Sequence, residues 1–356
     1  MSATRERPKL LITGSDLRGA LSIAEANEAV RQAFMDWSSQ PGLNAVRQRM
    51  HAQSGMRVTV HPGISPSAFA GGVLVHCEVV NPAAEVQVYD KMAPPVAVVY
   101  NPDDGELDAV LIGAVSCKEL PDLRSFTSVR TAATSALGTF AMARPSAVTL
   151  GILGTGDQAR THLVSFLAAR PMERVVVFSR DEGNRHRFGD EMSEVTGLEV
   201  EVLSDPDEVV LTSDIILAAT NSNVPVFDGS LLRAGQHVTS IVGSNVGLVA
   251  TSGLRGGRRE LDDTTLLRAD RIGLVSKEQA IQDQQADVYQ QVVAGDLSWD
   301  RIVELTDLVS GIPGRLDESE ITVFKNNGGM GIADLAVAGA AYRAVVARGG
   351  GQPLED

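Results

Sequence analysis

The chain has 356 residues, 44% of them hydrophobic, which is enough apolar material for two separate cores. Its formal net charge of −14 disfavours nucleic acid and anionic membranes as partners. No apolar run reaches membrane-spanning length, and the opening MSATRERPKLLITGSDLRGAL lacks the apolar stretch and cleavage site of a secretory signal, so a cytoplasmic location is expected.

The first expected element is a helix over residues 22–38, with apolar side chains at Ile23, Ala26, Val30, Phe34 and Trp37. Ser22 with Glu25 forms its capping box. From residue 46 to 100 the periodicity changes to strands separated by Pro/Gly turns (VRQRMHAQ, MRVTVHP, GVLVHCEVV, VQVYDKM, PVAVVYN), which predicts an antiparallel sheet. NPDDG is a turn, residues 106–112 a further strand, and a helix is predicted from near Phe126 to Arg144, closed by Pro145. Cys77 and Cys117 have neither CxxC spacing nor a histidine cluster, so reduced thiols are expected and no metal site.

Residues 148–180 read as one strand, glycine turn, helix, strand unit, VTLGILGTGDQARTHLVSFLAARPMERVVVFSR. Gly154, Gly156 and Ala159 fill the G-x-G-x-x-A positions of a dinucleotide cradle: a tight turn, close backbone approach to a pyrophosphate, and close helix packing. Gly154, Thr155, Gly156, Asp157, Gln158 and Ala159 are therefore expected to contact the cofactor. The second strand ends in Phe178, Ser179 and Arg180 rather than in the acidic residue that would accept from an NAD ribose. Ser179 and Arg180 can instead bond a 2′-phosphate, which favours NADP over NAD, while NAD remains open through Asp181.

The alternation continues with a helix over 185–196, a strand over 198–203, a short helix over 205–211, and strands over 214–219 and 237–242. Ala219, Thr220 and Asn221 follow one strand, and Ser240, Gly243, Ser244 and Asn245 close the next, so both strand ends face one ligand crevice. Residues 246–259 are glycine-rich and basic and read as a mobile loop that can close over it. A last strand is expected over 271–275 and a helix carrying Trp299 over 298–309.

The runs RTAATSALGTFAMARPSAVTLGILGTGDQA, SDIILAATNS, HVTSIVGSN, RRELDDTTLLRAD and ITVFKNNGGMGIADLAVAGAAY, in this order, resemble the ornithine cyclodeaminase/mu-crystallin family over nearly the whole chain. The resemblance implies a fold of class α/β in a homodimer. Residues 145–323 would form a Rossmann-type doubly wound dinucleotide-binding domain. Residues 1–144 plus 324–356 would form an α+β substrate-binding and dimerisation domain, completed by a returning helix at about 324–349. Family members include cyclodeaminases, alanine dehydrogenases, ketimine reductases and a mammalian lens and thyroid-hormone-binding protein, all with a bound nicotinamide nucleotide.

Carried over residue by residue, Arg130 matches the arginine that holds the substrate carboxylate, and Thr131 beside it is expected at the cofactor. In VRQRM, Arg47 or Arg49 matches a second carboxylate-binding arginine, with Arg49 preferred. Lys325 and Asn326 of FKNNGG are expected to cap the carboxamide side of the nicotinamide. Three positions depart from the cyclodeaminase pattern: the lysine eight residues before Asn81 falls at Val73, the glutamate three before Pro62 at Thr59, and the acid/base aspartate at Asn245. An amide cannot exchange protons as a carboxylate does, which argues against ornithine cyclisation. His76, Glu78, Asp90 and Lys91 are the nearby ionisable candidates, with Lys91 preferred as proton donor.

The reading is an NAD(P)H-dependent oxidoreductase acting on an imine or amino-acid C–N bond of a small substrate. The alternatives are a mu-crystallin-like binder of NADP and a small carboxylate, and a true ornithine cyclodeaminase.

Overall fold

The computed structural model describes residues 8–80, 89–123, 125, 127–243, 249 and 257–354, residues 89–91 by backbone only. Among them the fold is α/β, with two sheets of eight strands each.

The first sheet comprises β1 (Leu10–Thr13), β2 (Gln48–His51), β3 (Met56–Ser65), β4 (Ala70–Val80), β5 (Tyr89–Met92), β6 (Val96–Tyr100), β7 (Leu107–Ile112) and β16 (Gln352–Pro353). From β2 to β7 the pairing is antiparallel, as the alternating pattern predicts, but β1 joins β7 in parallel and the sheet is mixed. Its polarity is inverted on β3, whereas β1, β6 and β7 bury apolar side chains such as Ile12, Val99 and Leu111. Along β3 the buried side chains are Arg57, Thr59 and His61, while Val58, Val60 and Pro62 are partly exposed and Ile64 is 40% exposed.

The second sheet runs in the order β10 (Val200–Val202), β9 (Arg174–Phe178), β8 (Thr149–Leu153), β11 (Ile215–Ala218), β12 (His237–Ser240), β15 (Thr322–Lys325), β13 (Arg271–Leu274), β14 (Ile302–Glu304), and its pairs are parallel. Strand order reverses between β8 and β11, and that switch point is where doubly wound sheets bind ligands. Near-continuous Val, Ile and Leu in these strands reflects burial on both faces.

Two expectations are corrected here. Residues 298–309 are not one helix: a 3-10 turn at Trp299–Arg301 leads into β14, and a helix covers only Leu305–Val309. Phe324 and Lys325, expected as the start of the returning helix, instead end a strand, Thr322–Lys325, between β12 and β13, and the helix covers Gly331–Ala347.

Three helices sit between the sheets. Helix Ile23–Ser39 starts at the Ser22/Glu25 capping box. Helix Ser128–Met142 consists largely of Ala, Ser, Thr and Gly, and these small side chains let it pack against helix Asp157–Ala169 as well as β12 and β15. Helix Gly331–Ala347 crosses β3 where two glycines meet: a Cβ on Gly331 would lie 2.0 Å from the Pro62 carbonyl oxygen, and one on Gly63 2.3 Å from the Ile332 nitrogen. This backbone approach brings Asp334 of the helix against His61 of β3. Cys77 and Cys117 are free, as expected.

Candidate functional site

A cleft of about 450 Å³ opens between the two sheets at the C-terminal ends of β8, β11 and β12. The glycine turn precedes Gln158, which lines the cleft. Gly154 has φ +116, and a Cβ there would lie 2.2 Å from the Ala219 carbonyl oxygen, so only glycine lets the end of β8 approach the end of β11 this closely. Gly156 is the N-cap of helix Asp157–Ala169; no side chain takes the first amides and nothing stands within 4 Å of where its Cβ would be. Free amides and the positive end of the helix dipole make this an anion seat, and a dinucleotide pyrophosphate fits it. Ala159 is fully buried. Asp157 turns aside to accept from the Ser125 amide at 3.1 Å, and the Thr155 carbonyl accepts from Arg160. Gln158 and Thr131 line the cleft.

Ser179, Arg180 and Asp181 follow β9. Asp181 accepts from the Asn184 amide at 2.7 Å as the N-cap of helix Glu182–Thr196, so its carboxylate is committed to the helix. The Ser179 carbonyl accepts from Arg185 at 3.1 Å. Arg180 is exposed and has no partner among the described residues.

At the other end Thr220, Asn221, Ile241, Val242 and Gly243 line the cleft. Ser240 and Lys325, expected as cofactor contacts, do not. Both are fully buried behind the strand ends: Lys325 donates to the Ser240 hydroxyl at 3.0 Å and to the Val242 carbonyl, and pairs with Asp287 at 2.7 Å. Glu260, which local pattern does not single out, accepts from the Thr220 amide and hydroxyl, the Ser240 hydroxyl and the Ile241 and Val242 amides, at 2.6 to 3.1 Å. It ties the two strand-end loops together. Asn326 lines the cleft with its side chain fully engaged, to the Thr131 carbonyl, the Ser135 hydroxyl and the Gly328 amide. Ser244 and Asn245 lie outside the described residues, as do the side chain of Lys91 and that of Asp90 and most of the 246–259 loop.

The roof is the polar face of the first sheet. Arg130 lines the cleft from helix Ser128–Met142, and its Nε donates to Asp334 Oδ1 at 2.8 Å. Its two terminal nitrogens have no partner among the described residues, so a fork is held open toward the cleft. The other Asp334 oxygen accepts from His61 Nδ1 at 2.7 Å. Burial pushes the Asp334 carboxyl up, but Arg130 and His61 outweigh it and hold the group below its ordinary range. Burial lowers His61 to about 4 against the pull of Asp334, so the ring is neutral near neutral pH. Arg47 and Arg49 both reach the cleft and both bond Asp283, Arg49 at 2.6 Å.

Behind them Glu78 accepts from Arg57 at 3.0 Å and lies 3.2 Å from His76 Nδ1. Burial raises its carboxyl, and the bonds from His76 and Arg57 overcome this and hold it at about 2. A group so acidic is a poor proton carrier near neutral pH. Val73 lies on the outer face of β4, opposite Pro62 and Val98, while Leu74 and His76 point inward.

A model of the ornithine cyclodeaminase/mu-crystallin family matches residues 9–349. The chain belongs to this family. The Bacillus cereus Delta(1)-pyrroline-2-carboxylate reductase is 28% identical over 349 residues, covering 97% of this chain and 99% of the relative. Mouse ketimine reductase mu-crystallin is 30% identical over 249 residues, 69% of this chain and 67% of the relative. Among solved structures, the Thermococcus litoralis Delta(1)-pyrroline-2-carboxylate reductase in complex with NADH and L-proline superposes with a TM-score of 0.79 at 26% identity, covering 97% of this chain and all of that one. Thr59, inside β3, has a buried hydroxyl with no partner among the described residues.

Proposed function

We propose that this family member is a nicotinamide-dependent reductase of small imino acids, and the observation that carries the reading is the open fork of Arg130 in a cleft that is also lined by Gln158, in the first turn of the helix capped by Gly156. Gly154, Gly156 and the first turn of the following helix hold the pyrophosphate; Thr220, Asn221 and Gly243 border the nicotinamide position. When bound, a reduced nicotinamide supplies hydride to the carbon of a C=N bond. Arg130 fixes the neighbouring carboxylate by two parallel charge-assisted bonds, and Asp334 holds the guanidinium plane for it. Arg47 and Arg49 add positive charge on the roof. Met92 of β5 lines the cleft, and because neighbouring residues of a strand face opposite ways this gives Lys91 no support as the donor. The proton to nitrogen is proposed to come from another side chain or an ordered water. The proteins named above as pyrroline-carboxylate and ketimine reductases support the substrate class.

Purified protein is expected to oxidise NADPH steadily with a cyclic ketimine carboxylate in a panel that also contains α-keto acids with ammonia or methylamine. No turnover with any of these would contradict the reductase reading and leave a nucleotide-binding protein. The unpartnered Arg180 and the helix-capping role of Asp181 support NADP over NAD. NADPH should bind more tightly than NADH, with the preference lost in Arg180→Ala; equal affinities in the parent protein would refute the assignment.

The outer face of the first sheet presents Val58, Val60, Val73, Val75, Val98 and Val110, neighbours across β3, β4, β6 and β7, with half-exposed Tyr100 and Ile112 at the edge. So continuous an apolar face marks a protein interface, and a second copy of the chain is its proposed partner. Sedimentation should show a dimer that Val98→Glu weakens at least tenfold, and a monomeric parent protein at micromolar concentration would exclude it.

A further inference from the structure

The buried acid Glu260 has a role that its hydrogen bonds alone do not exhaust. Five donors surround its carboxylate, two on one oxygen and three on the other. The Ser240 hydroxyl that donates to Glu260 accepts from Lys325, and Lys325 pairs with Asp287, so the chain Glu260, Ser240, Lys325, Asp287 is continuous and fully buried. Its formal charges are two negative and one positive. The cluster therefore carries one net negative charge directly beneath Thr220, Ile241 and Val242, at the ends of β11 and β12, the nicotinamide half of the doubly wound sheet. The charged side chains lining the cleft itself are Arg47, Arg49, Arg130 and Arg258; Asp283 and Asp334 balance two of these charges, and the remaining positive charge disfavours a positive ring.

Resting on the cofactor reading above, we propose that Glu260 is an electrostatic positioning residue whose buried charge favours the positively charged oxidised nicotinamide over the neutral reduced one and so offsets the cleft arginines. A ring that becomes positive as it gives up hydride gains from a fixed negative charge in a water-poor site, because the charge needs no reorganisation when the ring changes.

The test compares dissociation constants for NADPH and NADP+, each measured by direct titration without substrate, in the parent protein and in Glu260→Gln. The ratio of the oxidised to the reduced constant is expected to rise about tenfold in the variant, the order for one unit charge acting through a partly screened protein interior. Asp287→Asn keeps the oxygen that caps Val288 and removes the other negative charge, so it should shift the ratio in the same direction by less. It decides the question alone if Glu260→Gln fails to fold. Equal weakening of both nucleotide forms, or an unchanged ratio, would reduce Glu260 to a loop tie and overturn the proposal. A parent protein that binds neither nucleotide would instead overturn the cofactor reading.

Discussion

Arg130→Met is expected to lower kcat/KM for a carboxylate-bearing imine about a thousandfold, since truncating one partner of a buried, hydrogen-bonded charge pair costs roughly 2–5 kcal/mol. The loss has two sources. The substrate carboxylate loses its fork, and Asp334 loses the guanidinium that balances it. The second effect also reaches folding: a buried carboxylate stripped of its partner destabilises by about 3–5 kcal/mol. Nucleotide titration and thermal unfolding separate the two. Arg130→Met should bind NADPH with little change while melting lower, and adding Asp334→Asn should recover stability without recovering turnover. Arg130→Lys keeps the charge on a single nitrogen and loses the planar fork, so it should restore only part of the activity. Parent-like kcat/KM in Arg130→Met would remove the carboxylate assignment.

Gly154→Ala is expected to abolish nucleotide binding by at least a hundredfold and to lower the melting temperature. At φ +116 a side chain is strained, at a cost of about 1–3 kcal/mol, and its Cβ would press on the Ala219 carbonyl oxygen, forcing the ends of β8 and β11 apart. Those ends carry the glycine turn on one side and Thr220 on the other. Gly156→Ala gives the contrast. Its backbone is extended and the space around it open, so the fold should stand while the added methyl occupies the approach of the phosphates. Nucleotide affinity unchanged in both variants would mean that the turn is not the cradle.

The strand, turn and helix of the nucleotide unit were legible in the sequence because all of the information is local: apolar runs of strand length, glycines at fixed offsets, and a helix between. The Ser22/Glu25 cap was legible for the same reason. β14 was not. Ile302 and Val303 fit a helical and a strand periodicity equally well, and what selects the strand is parallel pairing with β13. Ser240 reads as functional by its place at a strand end and Lys325 by its place in the FKNNGG run, yet which way they point is decided by Asp287 and Glu260, contributed by distant segments. Asp334 and Glu260 lie in runs that carry the family resemblance, but nothing local marks a carboxylate as buried and bonded. Asp283, which gathers Arg47 and Arg49, had no local signal at all. Patterns that repeat along the chain reveal elements; charges that compensate one another across the cleft appear only once the chain is folded.

One cleft is proposed to hold a nicotinamide nucleotide and a substrate carboxylate together, the latter on Arg130. The most direct measurement is turnover of NADPH with two cyclic imines of the same ring, one bearing a carboxylate on the imine carbon and one bearing a methyl group. The carboxylate compound should be reduced at least a hundredfold more efficiently, and that advantage should vanish in Arg130→Met. Equal efficiency for the two imines in the parent protein would contradict the account.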